Sequence, residues 1–191
     1  MHGTLAVKSF AELEAVQLRQ GVEIFVEGHY RRLSFLTTET DALVDVLEHS
    51  FVRDHYFAGI LDDTVVGIAA CSTDDTRSHR FDRKQFVTRL GLVKGLLGYR
   101  RLRDELEKPL GLHSSQCFIE SVVTDTAFRG KGIATIIQEH LIEELPYSEY
   151  LLVVEKSNVA AIKLYEKLGF SMVEPYESQL PPSLSRKSDH I

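Results

Sequence analysis

The most informative segment of this chain is Thr124-Asp125-Thr126-Ala127-Phe128-Arg129-Gly130-Lys131-Gly132-Ile133-Ala134-Thr135. It joins an apolar run at residues 117–123, which predicts a buried strand, to a helical pattern at residues 133–145. The two glycines carry no Cβ, so a ligand can approach the backbone N–H groups at the start of this helix. These N–H groups and the positive end of the helix dipole form an anion site, and Arg129 and Lys131 add positive charge. The segment therefore predicts a site for a phosphate or pyrophosphate.

Two familiar phosphate-binding motifs do not fit these residues. A P-loop needs a glycine five residues before its Gly-Lys pair and a serine or threonine directly after it, but Asp125 and Gly132 occupy those positions. A dinucleotide fingerprint that starts at Gly130 lacks its last glycine at Thr135, and no second βαβ half follows it. The remaining pattern is Arg-Gly-x-Gly-x-Ala between a strand and a helix. We call residues 129–132 the glycine loop.

A second pattern follows after Pro146, which ends the helix. Residues 150–155 form a continuous apolar run of strand length, as is typical of a buried parallel strand. Asn158 is a good N-cap for a helix at residues 159–168, and Gly169 is suited to the left-handed conformation that ends it.

The glycine loop resembles motif A of the GNAT superfamily of N-acetyltransferases. Residues 158–170, which end in Gly169-Phe170, resemble the second signature of the same superfamily. The resemblance covers roughly residues 57–173. It implies an α/β GNAT acyl-CoA N-acyltransferase fold, with a mixed twisted sheet and helices on both faces. It also implies acetyl-CoA as the acyl donor co-substrate. The eight histidines show neither zinc spacing nor a metalloprotease motif, so no metal is expected.

The resemblance also implies which residues bind the coenzyme. In GNAT enzymes the strand before the glycine loop separates from its neighbour, and its free backbone groups pair with the pantetheine arm and contact the oxyanion. The loop itself wraps the pyrophosphate. The implied cofactor-binding residues are Val122, Val123, Thr124, Arg129, Gly130, Lys131, Gly132, Ile133, Ala134, Thr135 and Asn158.

Two residues are candidates for the catalytic proton transfers. Glu120 lies on an otherwise apolar strand, where a carboxylate is costly unless it is hydrogen-bonded or faces a cleft. GNAT enzymes often place a base there; a structural glutamate is the alternative. Tyr165 matches the tyrosine that protonates the leaving thiolate, and a core tyrosine is its alternative. Related ribosomal-protein acetyltransferases have their base at the position of Val153, and valine cannot accept a proton.

The expected activity is direct transfer of acetyl from acetyl-CoA to a primary amine of a small molecule. The alternatives are acetylation of a protein N-terminus or lysine, and a non-catalytic CoA-binding regulatory module. The acceptor, the length of the acyl group and the oligomeric state are not determined by these residues, and a homodimer is left open.

Composition agrees with this expectation. A chain of 191 residues is long enough for one domain with a sizeable core. The net charge of −6 disfavours nucleic acid as a partner, and no apolar stretch approaches the length of a membrane span. No N-terminal signal region is seen, so we expect a cytoplasmic protein. Cys71 and Cys117 lie in apolar runs without C-x-x-C spacing, which predicts buried reduced thiols.

The N-terminal part of the chain predicts four further elements before the glycine loop. The pattern favours a strand at residues 5–10 and helices at 11–20 and 42–49. A hairpin is predicted from strands at 56–61 and 65–71, with a turn at Asp62-Asp63.

Residues 72–116, which we call the insertion, exceed the minimal GNAT pattern. Four apolar residues recur at helical spacing and predict one helical face: Phe86, Leu90, Val93 and Leu97. Three glycines on another side of this helix, at positions 91, 95 and 98, indicate close backbone packing or breaks. The stretch from 77 to 103 holds nine Lys or Arg and one acid, which predicts a solvated basic face, a surface for an acidic acceptor or the coenzyme phosphates, or a nucleic-acid surface. The tail at 175–191 has no periodicity and is predicted to be poorly ordered, with a last strand at its beginning as the alternative.

Overall fold

A computed structural model describes residues 4–155, 157–173 and 183–187 of the chain. Its strands, in chain order, are β1 Ala6–Ser9, β2 Tyr56–Leu61, β3 Thr64–Ser72, β4 Gln116–Thr124, β5 Glu149–Leu152, β6 Ser171–Val173 and β7 Ser183–Lys187. They form one mixed sheet in the order β1-β2-β3-β4-β5-β7-β6. Only the β4–β5 pair is parallel. The predicted hairpin is confirmed, since Asp62 and Asp63 form its turn in the left-handed conformation.

Helices cover both faces of this sheet, which confirms the predicted α/β class. They are α1 Ala15–Leu33, α2 Thr40–Leu47, α3 Arg83–Leu90, α4 Leu92–Leu106, α5 Ile133–Glu144 and α6 Val159–Lys167. One hydrophobic core lies between the first face of the sheet and helices α1, α2, α3 and α4. The other lies between the second face and helices α5 and α6. No helix in the described ranges is long and apolar enough to cross a membrane.

The sheet opens between β4 and β5. The two strands pair from Gln116–Glu149 to Ile119–Leu152, where β5 ends, while β4 continues to Thr124. The strand predicted at 150–155 is therefore shorter than its apolar run. Beyond this point β4 carries a bulge, because its register against β3 shifts between the pairs Ile68–Val123 and Ala70–Glu120. Ser121, within the bulge, has a φ of 55°, which non-glycine residues rarely adopt.

The helix predicted at 11–20 differs from α1. The helix starts at Ala15 and continues to Leu33, through Gly21. A Cβ at Gly21 would lie 2.5 Å from Cζ of Phe10, so this glycine permits close packing and does not end the helix. Val22 and Phe25 continue the buried face beyond it.

The insertion contains two helices, and the single apolar face predicted for it is wrong. Gly91 has a φ of 79° and separates α3 from α4. Phe86 is buried, but Val93 and Leu97 lie on α4 with 72% and 63% of their surface exposed, because the break changes the helical phase. Gly95 packs closely, since a Cβ there would lie 2.6 Å from the Phe86 carbonyl oxygen. Both roles predicted for the glycines therefore occur.

The predicted reduced thiols are also corrected. Cys71 and Cys117 are buried, as expected, but they form a disulfide with a Cα–Cα distance of 6.1 Å. The register of β3 and β4 pairs Cys71 with Ile119, so Cys117 is a diagonal neighbour on the same face of the sheet. Sequence spacing does not show this pairing.

The tail predicted to be poorly ordered includes one regular element. Residues 183–187 form β7, which lies between β5 and β6 and pairs with both. The prediction is therefore wrong for these five residues, because antiparallel pairing with two neighbours satisfies a strand that lacks a clear pattern of its own. The rest of the tail, residues 175–182 and 188–191, lies outside the described residues.

Candidate functional site

The glycine loop presents open backbone at the start of α5. Gly130 and Gly132 have φ values of 74° and 80°, and a Cβ built at either would meet no described atom within 4 Å. Gly132 is the N-cap of α5 and has no side chain to cap the first N–H groups. Asp125 shapes the approach to the loop, because its Oδ1 accepts a hydrogen bond from the Ala127 amide at 2.7 Å. The local geometry is suited to an anion.

A cavity of about 480 Å³ lies against this loop. It is lined by the predicted residues Thr124, Arg129, Gly130, Gly132, Ile133, Ala134 and Thr135. Lys163 and Lys167 of α6 also line it, and they were not predicted. Their i, i+4 spacing on a predicted helix is the signal that places both on one face. Lys131 does not line this cavity; its Nζ lies 4.6 Å from the centre of the Phe128 ring.

A second cavity, of about 490 Å³, lies in the gap between β4 and the end of β5. It shares Thr124, Ala134 and Leu164 with the first cavity, and we call the two together the groove. The second cavity brings together four further predicted residues, Glu120, Val122, Asn158 and Tyr165. Asn158 caps α6, since its Oδ1 accepts a hydrogen bond from the Ala161 amide at 3.2 Å.

Two predicted residues direct their side chains elsewhere. Val123 does not line the groove, and its side chain packs against Gly28 of α1. Its neighbour Val122 does line the groove, as expected for alternation along a strand. The side chain of Ile133 packs against Gly59 and Gly67 of the sheet, so only its backbone is suited to ligand contact.

Tyr165 is a buried tyrosine in the wall of the groove. Burial raises the pKa of its phenol to about 12, and the nearby Gln138 amide acts in the opposite direction. Gln138 of α5 is fully buried, and neither its side-chain nitrogen nor its oxygen has a hydrogen-bond partner of normal geometry in the described part of the chain. The Gln138–Tyr165 contact is therefore close but is not an aligned hydrogen bond. Sequence analysis missed Gln138, whose only signal is a polar residue on the buried side of a helix.

Glu120 is held by three donors. Its side chain is 12% exposed, and its Oε2 accepts a hydrogen bond from Nη2 of Arg77 at 3.0 Å. Its Oε1 accepts from the hydroxyls of Ser78, at 2.7 Å, and Ser72. Arg77 is itself only 8% exposed, so the two form a buried ion pair. All three donors lie between positions 72 and 78, in the insertion, and were not predicted.

A third cavity, of about 560 Å³, meets the groove at Glu120. We call it the side cavity. Its walls come from α1, α4, the loop at 107–112 and β4, and its apolar lining residues include Phe25, Leu33, Leu102, Leu106, Pro109, Leu110 and Phe118. His29, Arg32 and Ser121 line both the side cavity and the groove.

The basic residues of the insertion contribute little to the side cavity. Of the nine between positions 77 and 103, Arg77 alone lines it, and Arg77 is paired with Glu120. Arg100 lines neither the groove nor the side cavity, and Cζ of Arg101 lies 4.2 Å from the centre of the Phe35 ring. This arrangement favours the solvated basic face among the three predicted roles.

A buried polar chain lies behind the bulge of β4. The Ser50 hydroxyl donates to the Leu47 carbonyl at 2.7 Å, so its oxygen accepts from Nδ1–H of His79 at 2.9 Å. Nε2 of His79 must then accept from the Tyr56 hydroxyl, at 2.7 Å. Burial lowers the pKa of His79 to about 3, so its ring is neutral at pH 7. This chain satisfies polar atoms in the core without adding charge.

No group of His, Cys, Asp and Glu that could hold a metal ion is found within residues 4–155, 157–173 and 183–187.

Comparisons with known proteins agree with this geometry. Residues 22–170 match the family model described as the acetyltransferase (GNAT) family. A solved structure from Pyrococcus horikoshii is similar with a TM-score of 0.59 at 17% identity, over 97% of this chain and 99% of that one. An N-acetyltransferase from Staphylococcus aureus has a TM-score of 0.59 at 18% identity, over 94% and 98% of the two chains. A GNAT acetyltransferase from Bacillus cereus has a TM-score of 0.53 at 12% identity, over 97% and 99%. At these identities the structures show the fold alone. No curated protein matches this chain.

Proposed function

Because this chain belongs to the GNAT family of acetyltransferases, we propose that it transfers acetyl from acetyl-CoA directly to a primary amine of a small molecule. The observation that supports this proposal is that the groove and the side cavity adjoin each other. The groove runs from the glycine loop to Tyr165, and the side cavity, with partly apolar walls, joins it at Glu120. A donor thioester in the groove and an acceptor amine in the side cavity would be held next to each other, which is the main requirement of direct transfer.

The residues of the groove fit the phosphates and the arm of a coenzyme. The open amides of the glycine loop and the N-terminus of α5 are suited to a pyrophosphate, and Lys163 and Lys167 supply positive charge along the same cavity. The end of β4 stays paired with β3 but extends past the end of β5, so the backbone groups on its β5 side are available to bind an extended chain that carries amides. Acetyl-CoA has both parts, and its thioester supplies the electrophile.

Tyr165 is suited to protonate the leaving thiolate. Its phenol is neutral at pH 7, because burial raises its pKa to about 12, and it lies in the wall of the groove. A backbone N–H in the bulge of β4, at Ser121 or Val122, would donate to the oxyanion, since both residues line the groove where the strands separate.

Glu120 as the base stays a prediction. Its carboxylate lies where the groove and the side cavity meet, but both of its oxygens already accept hydrogen bonds, one of them from a buried guanidinium. The arrangement also fits the alternative, in which Glu120 is a structural glutamate.

The side cavity is suited to an amine attached to an apolar body. About half of its lining residues are apolar, the others are polar or charged and include Glu105, Glu120 and Glu155, and its volume is that of a small-ligand site. The insertion closes it, because Arg77 donates to the carbonyl of Lys108 and the Leu112 amide donates to Asp74 at 3.2 Å.

The test is release of coenzyme A thiol from acetyl-CoA with a panel of acceptors. We expect small alkyl- and arylalkylamines to be acetylated faster than spermidine, a lysine peptide or a peptide with a free N-terminus. Acetyl-CoA should also raise the melting temperature by mass action, and ATP and NAD should not. Faster acetylation of a peptide would mean that the acceptor is a protein and not a small molecule. If acetyl-CoA raises the melting temperature but no amine is acetylated, the non-catalytic CoA-binding module is favoured.

A further inference from the structure

His29 lies where the donor and acceptor spaces meet. It is on α1, half-buried, and it lines both the groove and the side cavity, as Glu120 does. Its ring stacks near Phe25 with a centroid distance of 4.4 Å, which restricts its orientation. Nothing in the motifs points to this residue, because it lies far from both of them in the sequence.

One hydrogen bond determines which ring nitrogen of His29 carries the lone pair. Nδ1 lies 2.9 Å from the Phe25 carbonyl oxygen, and a carbonyl can only accept. Nδ1 must therefore carry the proton, and a neutral ring then has its lone pair on Nε2. The backbone of α1 thus orients an imidazole with a proton-accepting nitrogen next to the groove.

The ring is neutral at pH 7. Burial lowers the pKa of His29 below its ordinary value of 6.5, and Arg32 on the same helix lowers it further, whereas the Phe25 carbonyl and Glu120 act in the opposite direction. The other charged or titratable groups that share its two cavities or its core are Arg77, Glu105, Lys108, Glu155, Tyr165 and His79. Arg77 is paired with Glu120, and Glu105 with Arg32, so these four charges compensate one another in pairs.

Glu120 and His29 differ in the hydrogen bonds that their proton-accepting atoms already make. The two oxygens of Glu120 accept from Ser72, Ser78 and Arg77, so a substrate proton must compete with three donors. The hydrogen bond from Nδ1–H of His29 to the Phe25 carbonyl does not use the lone pair on Nε2. We propose that His29 is the general base of the reaction, and this inference rests on the proposed acetyl transfer.

Nε2 of His29 takes a proton from the acceptor ammonium, and the amine lone pair freed by that N–H cleavage forms a bond to the carbonyl carbon. When the C–S bond breaks, the sulfur keeps its electron pair and takes a proton from the Tyr165 hydroxyl. The nitrogen that has attacked the carbonyl is still cationic, and it releases its extra proton to solvent to give the neutral amide. The His29 imidazolium also loses its proton to solvent, and the Tyr165 phenolate takes one from solvent. The negative charge of Glu120 favours the transient imidazolium.

The kinetic test compares His29→Gln, Glu120→Gln and the matched control His113→Gln, an exposed histidine outside the groove and the side cavity. With a simple alkylamine, His29→Gln should lower kcat by about 10²–10⁴-fold and leave the KM for acetyl-CoA unchanged. The loss should be smaller with 2,2,2-trifluoroethylamine, which arrives mainly neutral. Added imidazole should partly restore His29→Gly. His113→Gln should behave like the wild type.

The pH profile separates a base from a structural residue. The wild type should lose kcat as pH falls below 6.5, where His29 becomes protonated, and His29→Gln should lack this acidic limb. If His29→Gln keeps both the rate and the limb while Glu120→Gln loses them, the base is Glu120 and the proposal is wrong.

A measurement independent of turnover completes the test. In wild-type protein labelled with ¹⁵N-histidine, the His29 ring should be neutral at pH 7, with the proton on Nδ1. A charged ring, or a proton on Nε2, overturns the proposal even if acetyl transfer is observed. Absence of transfer by the wild type on every amine would instead refute the proposed function, whatever the state of this ring.

Discussion

Burial determines the charge of the main titratable side chains around the groove. It raises the pKa of Tyr165 to about 12 and lowers that of His79 to about 3, and it also lowers the pKa of His29. Each of these groups is consequently neutral at pH 7. The buried charges that remain, on Arg77 and Glu120, are paired with each other. A neutral phenol and a neutral imidazole are the forms that donate and accept a proton.

Replacing Tyr165 by Phe separates acid catalysis from packing. The change keeps the ring, which contacts Phe170 at a centroid distance of 5.7 Å, but removes the proton donor. We expect kcat to fall by about 10²–10⁴-fold, with little change in the Kd of acetyl-CoA measured by calorimetry. In the wild type, loss of rate from ionised Tyr165 should begin only well above pH 10, because the pKa is raised and the phenol stays protonated below it. An unchanged kcat would make Tyr165 a core residue.

At the scale of elements, the separation of β4 from β5 produces the groove. β5 ends at Leu152, and the bulge at Ser121 turns the free part of β4. The glycine loop then begins α5 across this opening, so an anion site and a free strand edge lie along one path. The insertion adds α4, which closes the side cavity next to that path.

Two glycines with similar positive φ values but different ψ values, 7° at Gly132 and 169° at Gly91, allow a controlled test of the glycine loop. Gly132 and Gly91 have φ values of 80° and 79°, and a Cβ at either meets no described atom within 4 Å. Alanine should therefore destabilise the fold by on the order of 1–2 kcal/mol at Gly132, which is left-handed, and by more at Gly91, whose backbone conformation is open almost only to glycine. Only Gly132→Ala should also weaken the rise in melting temperature caused by acetyl-CoA, because its methyl group lies where the loop meets the ligand.

The comparison is read from thermal unfolding with and without acetyl-CoA. If Gly91→Ala reduces the ligand-induced rise as much as Gly132→Ala does, the effect belongs to backbone strain, and the phosphate site lies elsewhere.

For the molecule as a whole, the disulfide ties together the two ends of the insertion. Cys71 directly precedes residues 72–116 and Cys117 directly follows them, and the bond joins β3 to β4 next to Glu120 and its donors. A crosslink of this kind stabilises mainly by restricting the unfolded chain. It should hold both the side cavity and the ion pair of Glu120 in place. Cytoplasmic location and a homodimer stay predictions.

Removing the disulfide should lower the stability of the whole fold. We expect Cys71→Ala with Cys117→Ala to reduce the free energy of unfolding by about 2–4 kcal/mol in urea titrations. A reductant should lower the melting temperature of the wild type and leave the double variant unchanged. Two titratable thiols in wild-type protein that has been unfolded without reductant would contradict the bond.

Much of the fold follows from local sequence. The hairpin at Asp62-Asp63, the glycine loop and the Asn158 cap were predicted, because each depends on backbone preferences within a few residues. Where the prediction failed, packing between distant residues had overridden the local signal. Gly21 continues α1 because it faces the Phe10 ring, and residues 183–187 are a strand because β5 and β6 pair with them.

The candidate site divides in the same way. The sequence by itself determined the family pattern, the glycine loop and the strand end that adjoins it, since these are contiguous segments with their own geometry. Only the tertiary structure decided that Cys71 meets Cys117, that Arg77 neutralises Glu120, and that His29 of α1 lies where the two spaces join. The physical reason is that each of these contacts joins residues 43 or more positions apart or depends on the register of neighbouring strands. Such pairings are set by how the sheet and helices pack, which no local pattern records.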